Sequence, residues 1–244
     1  MRHTLIAASA ICLTGFSCIT GNAQQVVDVD NNDFFGNNHQ TALNTTKGLI
    51  FQPDKFVRVS SGSPFFKGQW FSARLFDADS NSYSCPSVRL DLLDNAVNFL
   101  DATGTERIVT SPVKKIQLTD TVSGVHYLFV LGDQIPEADK SEAHTWLQIL
   151  VNDRVSLCRQ QKKSIHDNIT YATATTDEDI LTFDIYYVRM NKTFTRVKSW
   201  QDFVQLFADK KDAVDQFVHT HRLKGKSEDD YVQLVRFYNS LNNS

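Results

Sequence analysis

Several features that identify a catalytic or metal-binding protein are missing from this sequence of 244 residues. It has no G-x-S-x-G nucleophile elbow, no G-x-G-x-x-G fingerprint and no P-loop. Its four cysteines show no C-x-x-C spacing, so the usual zinc-site pattern is absent. The sequence therefore predicts no catalytic, cofactor-binding or metal-binding residue and no cofactor. An enzyme of unrecognised type stays open, because catalytic groups are not held at one spacing across folds.

Strong charge and long linkers are missing as well. The formal net charge of −3 disfavours a nucleic-acid partner, since such proteins concentrate positive charge. The chain has no long segment rich in proline, glycine or serine, and no internal repeat that would mark a boundary between domains. Its 17 phenylalanines favour a substantial hydrophobic core.

Residues 1–23 have the pattern of a signal peptide. Arg2 and His3 precede an apolar run from Leu5 to Ile19, and Gly21 and Ala23 are the small residues wanted before a cleavage site. The run is short for a membrane-spanning helix, which needs about 20 residues. We expect an exported mature chain from Gln24, in the periplasm or secreted, with no transmembrane segment. An uncleaved anchor is the alternative, and terminal sequencing of the exported protein would distinguish the two.

Two cysteines remain in the expected mature chain, Cys85 and Cys158. An oxidising compartment would permit a disulfide bond between them. Two separate buried thiols are the alternative, because a bridge needs Cα atoms within about 7 Å.

Regular alternation of apolar residues predicts an antiparallel β-meander. The expected strands are residues 70–77, 87–93, 96–101 and 113–118, followed by 125–131, 146–151, 155–158, 181–187 and a return at 194–197. The run 125–131 is almost wholly apolar, so we expect it to be central and covered on both faces.

The turn Asp94-Asn95 predicts the register of one hairpin. As a two-residue loop it pairs Leu93 with Ala96, Leu92 with Val97, Leu90 with Phe99 and Val88 with Asp101. The buried face then holds Val88, Leu90, Leu92, Val97 and Phe99, while Arg89, Asp91, Ala96 and Asn98 lie mainly on the solvent face.

The hydrophobic period becomes helical at Ser199, which with Asp202 resembles a capping box. A second helix is expected around Val214 and Phe217, and a third from Ser227 onwards. The predicted fold class is α+β, an antiparallel meander (sandwich or partly closed barrel) followed by about three helices. The expected units are a signal peptide (1–23), a loosely ordered lead-in (24–62), a β domain (63–198) and helices packed on it (199–244).

A few polar residues deserve comparison with known sites. His126 in an apolar strand is typical of a hydrogen-bonded sheet residue, and His219 and His221 are two apart on a helix, where they cannot share a metal. The triads Asp28/Asp30/Asn32 and Asp77/Asp79/Asn81 resemble the start of an EF-hand loop, but the later ligand positions fail. Solvated acidic turns are the better interpretation of both triads.

Several segments resemble a family of uncharacterised exported proteins that is common in bacteria of the Bacteroidota kind. They are Gly62-Ser63-Pro64-Phe65-Phe66 to Trp70, the strand Val88-Arg89-Leu90-Asp91-Leu92-Leu93-Asp94, and the closing Lys210-Lys211, Leu223-Lys224 and Tyr238-Asn239. The resemblance covers most of the expected mature chain and implies a cell-envelope location. It implies no functional residues.

Three functions fit these observations. The first is a non-enzymatic envelope protein that binds a protein partner or supports an assembly. The others are a lipocalin-like carrier of a small apolar ligand and an unrecognised envelope hydrolase. A filled core with an exposed apolar patch favours the first, a dry apolar cavity the second, and a deep pocket with convergent titratable groups the third.

Overall fold

The structure of the protein is a computed structural model that describes residues 45–46, 57–168 and 176–241. The expected signal peptide, most of the expected lead-in and the triad that begins at Asp28 lie outside these residues.

One β-sheet is followed by three α-helices, which confirms the predicted α+β class. The strands are β1 (Thr45–Thr46), β2 (Val57–Ser61), β3 (Phe71–Phe76), β4 (Ser82–Asp91), β5 (Ala96–Leu100), β6 (Glu106–Val109), β7 (Lys115–Thr119), β8 (His126–Leu131), β9 (Trp146–Val151), β10 (Ser156–Asn168), β11 (Thr176–Met190) and β12 (Thr193–Arg196). The helices are α1 (Trp200–Gln205), α2 (Lys211–His221) and α3 (Glu228–Ser240).

The strand order is β1-β6-β5-β4-β3-β7-β8-β9-β10-β11-β12, and neighbours in it are antiparallel. Strand β2 adds to β11 in parallel, so the sheet is mixed. Over the described residues β1 and β12 stand at opposite ends of this order, and the sheet is not closed. The sheet nevertheless curls, since Trp146 at the start of β9 donates from Nε1 to the Asn95 carbonyl oxygen at 3.1 Å.

The predicted register of the β4–β5 hairpin is wrong by two residues. Leu90 pairs with Val97 and Asp91 with Ala96, so residues 92–95 form a four-residue turn. The Asp91 carboxylate accepts hydrogen bonds from the amides of residues 93 and 94, at 2.9 and 3.0 Å, and holds them out of the ladder. A shift of two keeps the faces, and the five predicted core residues are all buried.

The opposite face of this hairpin is more buried than the alternation of apolar and polar residues predicted. Asp91 and Asn98 are 2% and 1% exposed. Arg89 lies two residues before Asp91 on the same strand and pairs with Asn98 in the ladder. Its guanidinium stacks on the Phe65 ring at 3.6 Å and pairs with Glu106. The segment before β3 therefore covers a face that alternation alone assigned to solvent.

The core has three apolar clusters. The first, which includes Phe71, Leu90 and Phe129, lies on one face of β3–β9. In the second, Leu157 and Val188 of the sheet pack against Phe203, Phe207 and residues of α2 and α3. The third lies on the other face of β9–β11 under the connection 132–145 and contains Ile135, Leu147, Cys158 and Tyr187.

Local signals at the helix starts are confirmed. Ser199 Oγ accepts from the Asp202 amide before α1, and Ser227 Oγ accepts from the Asp230 amide before α3. Helix α2 ends where Arg222 adopts a left-handed φ of 55°. At the end of α3, buried Asn239 bonds both to the Val155 amide and to its carbonyl oxygen, at 3.0 and 2.9 Å, and so docks the helix on the sheet.

Two further expectations are settled by the structure. Strand β8 is central, but it is not covered on both faces, because His126 is exposed and Phe129 is the residue of β8 that is fully buried. Cys85 and Cys158 are two separate buried thiols in different clusters. Burial raises the pKa of the Cys158 thiol to about 12 and also raises that of Cys85, so both are poor nucleophiles.

Candidate functional site

The candidate site is a part of the β10–β11 hairpin that extends past its neighbour. Strand β9 has 6 residues and β10 has 13, and β9 pairs with β10 no further than Arg159. Beyond that point β10 pairs with β11 alone among the described residues, as far as Asn168. We call residues 160–168 and 176–185 the arm.

The β10 side of the arm is an open strand edge. In an antiparallel pair, alternate residues direct their amide and carbonyl groups away from the partner strand. About four residues of 160–168 therefore present unpaired backbone donors and acceptors. Natural proteins usually shorten or cover such edges, because an open edge is a template for pairing with another chain.

The arm also exposes large apolar side chains. Phe183 and Leu181 on β11 are 51% and 39% exposed, and they share one face because they are two residues apart. On β10, Ile165 is 44% exposed and lies on the other face. A partner strand on the arm would bring further apolar surface close to both faces.

A polar cavity of about 250 Å³ lies at the base of the arm, where β9 would have continued. Residues 160–163 form one side, and Leu92, Leu93 and Asn95 of the β4–β5 turn form the opposite side. Ser141 and Thr145 of the connection before β9, together with Trp146 at the start of β9, complete it. The cavity leaves space along the first residues of the open edge.

The open edge carries two lysines near its base and Asp167 nearer its tip, and the β11 side of the arm carries Asp177, Glu178, Asp179 and Asp184. Lys162 is exposed, and Lys163 is partly buried beside it. Burial lowers the pKa of the Lys163 amino group, and nearby Asp184 opposes that shift. At the arm's base the Arg159 guanidinium donates a hydrogen bond to Gln148 Oε1 at 2.6 Å and forms an ion pair with Glu228 of α3 at 2.7 Å, which fixes the arm to the helices.

The histidines are dispersed. His126 lies on the outer face of the sheet, where its Nδ1 and Thr119 Oγ1 are 2.9 Å apart. His219 and His221 are exposed on α2, and His221 Nδ1 lies 3.1 Å from the Phe217 carbonyl oxygen. No pair of these forms a site.

The acidic triad that begins at Asp77 is a turn. The Asp77 carboxylate accepts from the amides of Asp79 and Asn81, from the Asn81 side chain and from Tyr83 Oη. Its oxygens are thus engaged by the protein itself. Across the ranges that the structure describes, no group of three or more His, Cys, Asp or Glu residues could hold a metal ion.

Sequence reasoning missed the arm because residues 159–168 carry few apolar side chains, so alternation ended at Cys158. The usable signal was on the other strand, whose long alternating run from Leu181 to Tyr187 required a partner of similar length. Pairing residues 159–168 with that strand would have predicted the full length of β10.

Comparison with family models, curated proteins and solved structures finds no match to this chain. Among the described residues, no helix has the length and apolar character needed to cross a membrane.

Proposed function

We propose that this protein is a non-enzymatic exported protein of the cell envelope that binds a partner protein by accepting an extended segment of it on the arm. The open edge of β10 is the observation that carries this proposal. Strand addition to such an edge satisfies backbone groups on both chains and is a recurring mode of peptide recognition.

The positive charge at the base of the edge favours acidic residues in the segment that binds there. Lys162 and Lys163 lie on opposite faces of β10, so a partner strand beside them meets a positive charge on each side. Two copies of this chain pairing antiparallel through β10 would bring like charges together in the register centred on Lys162 and Lys163, so self-association in that register is disfavoured. We therefore propose an acidic extended segment of another protein as the occupant.

The packed interior supports binding at the surface rather than inside the sheet. The rings of Phe66, Phe71 and Phe129 fill the first cluster, with the Phe66 centroid 5.8 and 5.0 Å from the other two. The exposed apolar residues Phe183 and Leu181 lie instead on the arm. A filled core with an exposed apolar patch is the combination that favours a binding module.

Hydrogen exchange on the full chain with a ten-residue Val-Asp repeat peptide tests the proposal. We expect the outward amides of residues 160–168 to exchange quickly in the free protein and to be protected when the peptide is added. The double variant Lys162→Glu/Lys163→Glu is expected to weaken binding by about tenfold or more, since opposite charges become like charges.

The matched control is Lys224→Glu/Lys226→Glu, which makes the same charge change at exposed positions before α3. It is expected to leave peptide binding unchanged. A photo-reactive residue at Ser164 then tests the native host, with Thr220 on α2 as the control position. No protection of 160–168, together with cross-links at 164 no more frequent than at 220, would refute the proposal.

A further inference from the structure

A groove of about 480 Å³ lies on the outer face of β3, β4, β7 and β8, opposite the first apolar cluster. Its lining includes Ser72, Arg74, Ser84, Gln117, Thr119 and His126. These residues come from four strands whose order in the sheet is β4-β3-β7-β8. The volume is in the range of small-ligand sites, which is about 300–1,000 Å³.

Arg74 is the unusual member of this lining. It lies on central strand β3, opposite Ser84 on one neighbour and Gln117 on the other. Among the described arginines of intermediate exposure, the other three each pair with a carboxylate, namely Glu106, Asp101 and Glu228. The Arg74 guanidinium has no hydrogen-bond or ion-pair partner among the described residues.

The rest of the lining combines polar side chains with Ala73, Cys85 and Pro86, and among the described residues it includes no carboxylate. Serine and threonine hydroxyls both donate and accept, and the Gln117 amide does the same. Lys115 lies two residues before Gln117 on the same face of β7, and its amino group is 4.0 Å from the Phe76 ring centroid. The surface therefore offers a planar cation surrounded by groups that exchange hydrogen bonds with hydroxyls.

We propose that this groove binds an acidic saccharide whose uronate carboxylate pairs with Arg74. A guanidinium matches a carboxylate with two parallel hydrogen bonds, and the hydroxyl and amide side chains around it suit the hydroxyls of the same sugar. Among the described residues no Phe, Tyr or Trp lines the groove, which disfavours a flat apolar ligand. This site is separate from the arm, and the inference does not depend on the proposed function.

Titration calorimetry of the full chain with tetragalacturonate tests this assignment, with maltotetraose and inorganic phosphate as comparison ligands. We expect tetragalacturonate to bind and the other two to bind at least about tenfold more weakly, because one lacks the charge and the other the sugar hydroxyls. Arg74→Gln is expected to weaken tetragalacturonate binding by about tenfold or more, and Arg74→Lys to recover part of it.

Arg154→Gln is the control, because it removes one exposed arginine in the turn between β9 and β10 and leaves the groove intact. It should bind tetragalacturonate as the unaltered protein does. Three results would overturn the inference: no binding of tetragalacturonate at millimolar concentration, equal binding by the Arg74→Gln protein, or phosphate bound as tightly as the saccharide. The Arg74 variants should melt at the temperature of the unaltered protein because the outer face of β3 is not part of the core, and Arg154→Gln should do so because Arg154 is exposed.

Discussion

At the scale of single residues, Leu90 and Asp91 are neighbours on β4, face opposite sides and are both buried. Leu90→Asp places a charge in the first cluster and should cost several kcal/mol, of the order of 4. Asp91→Ala should cost about 1–3 kcal/mol, more than an exposed position would, because two turn amides lose their acceptor. Urea denaturation at pH 7 measures both.

Asp91→Asn separates the two roles of this side chain. Asparagine keeps an Oδ1 acceptor for the two amides but removes a charge whose burial raises the pKa of the Asp91 carboxyl. At pH 7 this variant should lie within about 1 kcal/mol of the unaltered protein or above it. A loss as large as that of Asp91→Ala would mean that the charge itself is needed.

Asp101 makes stability depend on acid pH. Hydrogen bonds from Thr103, together with the neighbouring Arg107 guanidinium, lower the pKa of its carboxyl to about 2. The ionised form is thus favoured in the folded state, and its contribution is present above about pH 4 and disappears as the pH falls towards 2. Asp101→Asn should melt at a lower temperature at pH 6 and show a flatter dependence between pH 4 and 2.

The control for this acid-pH series is Asp79→Asn, an exposed carboxylate in another turn. The melting temperature of this variant should change with pH in the same way as that of the unaltered protein between pH 6 and 2. If the melting temperature of Asp101→Asn shows the same dependence on pH, the ionisation of Asp101 does not contribute to stability.

At the scale of elements, the β11–β12 hairpin turns through two residues, since Met190 pairs with Thr193. Asn191 and Lys192 have φ angles of 51° and 61°, the left-handed pair that a type I′ turn requires. Asparagine tolerates that conformation, but lysine does so at a cost. Lys192→Gly should therefore stabilise the protein by about 0.5–1 kcal/mol, and Lys192→Val should destabilise it by about 1 or more.

Thermal melts of these two variants and of Lys192→Ala test the turn. Alanine removes the side chain without changing the preferred φ, so it should leave the melting temperature nearly unchanged. A melting temperature for Lys192→Gly below that of the alanine variant would show that the turn is not type I′ in solution.

At the scale of the whole molecule, the sheet and the helices share the second apolar cluster. Leu157 and Val188 of the sheet pack with Phe203, Leu234 and Val235 of the helices, and all five are buried. Truncation after Lys198 should give an aggregating or unfolded product. It removes several buried side chains worth about 1.5–3 kcal/mol each from a protein stable by about 5–15.

Single substitutions keep this prediction quantitative if the truncated chain cannot be purified. Leu234→Ala should cost about 2–5 kcal/mol, and Arg236→Ala, which is exposed on the same helix, should cost under about 0.5. A truncated chain that is monomeric and melts cooperatively near the full-length temperature would instead make the helices an accessory unit.

Local patterns were sufficient for much of the fold. Alternation identified the core faces of β3, β4 and β5, and serine followed by an acidic residue located the starts of α1 and α3. These signals work because each depends on neighbours within about four residues, where backbone geometry alone sets which groups meet. The two-residue loop failed because the side chain of Asp91 competed for the turn amides.

Local periodicity was enough to predict the α+β class, the order of strands before helices and the faces that enter the core. Both candidate sites depend on the three-dimensional arrangement of the strands. The groove forms because β3 pairs with β7, which places residues between Ser72 and His126 on one surface. The open edge exists because β9 is shorter than β10. Strand order and the relative lengths of neighbouring strands depend on the packing of segments that are distant in sequence. Local periodicity therefore does not predict them.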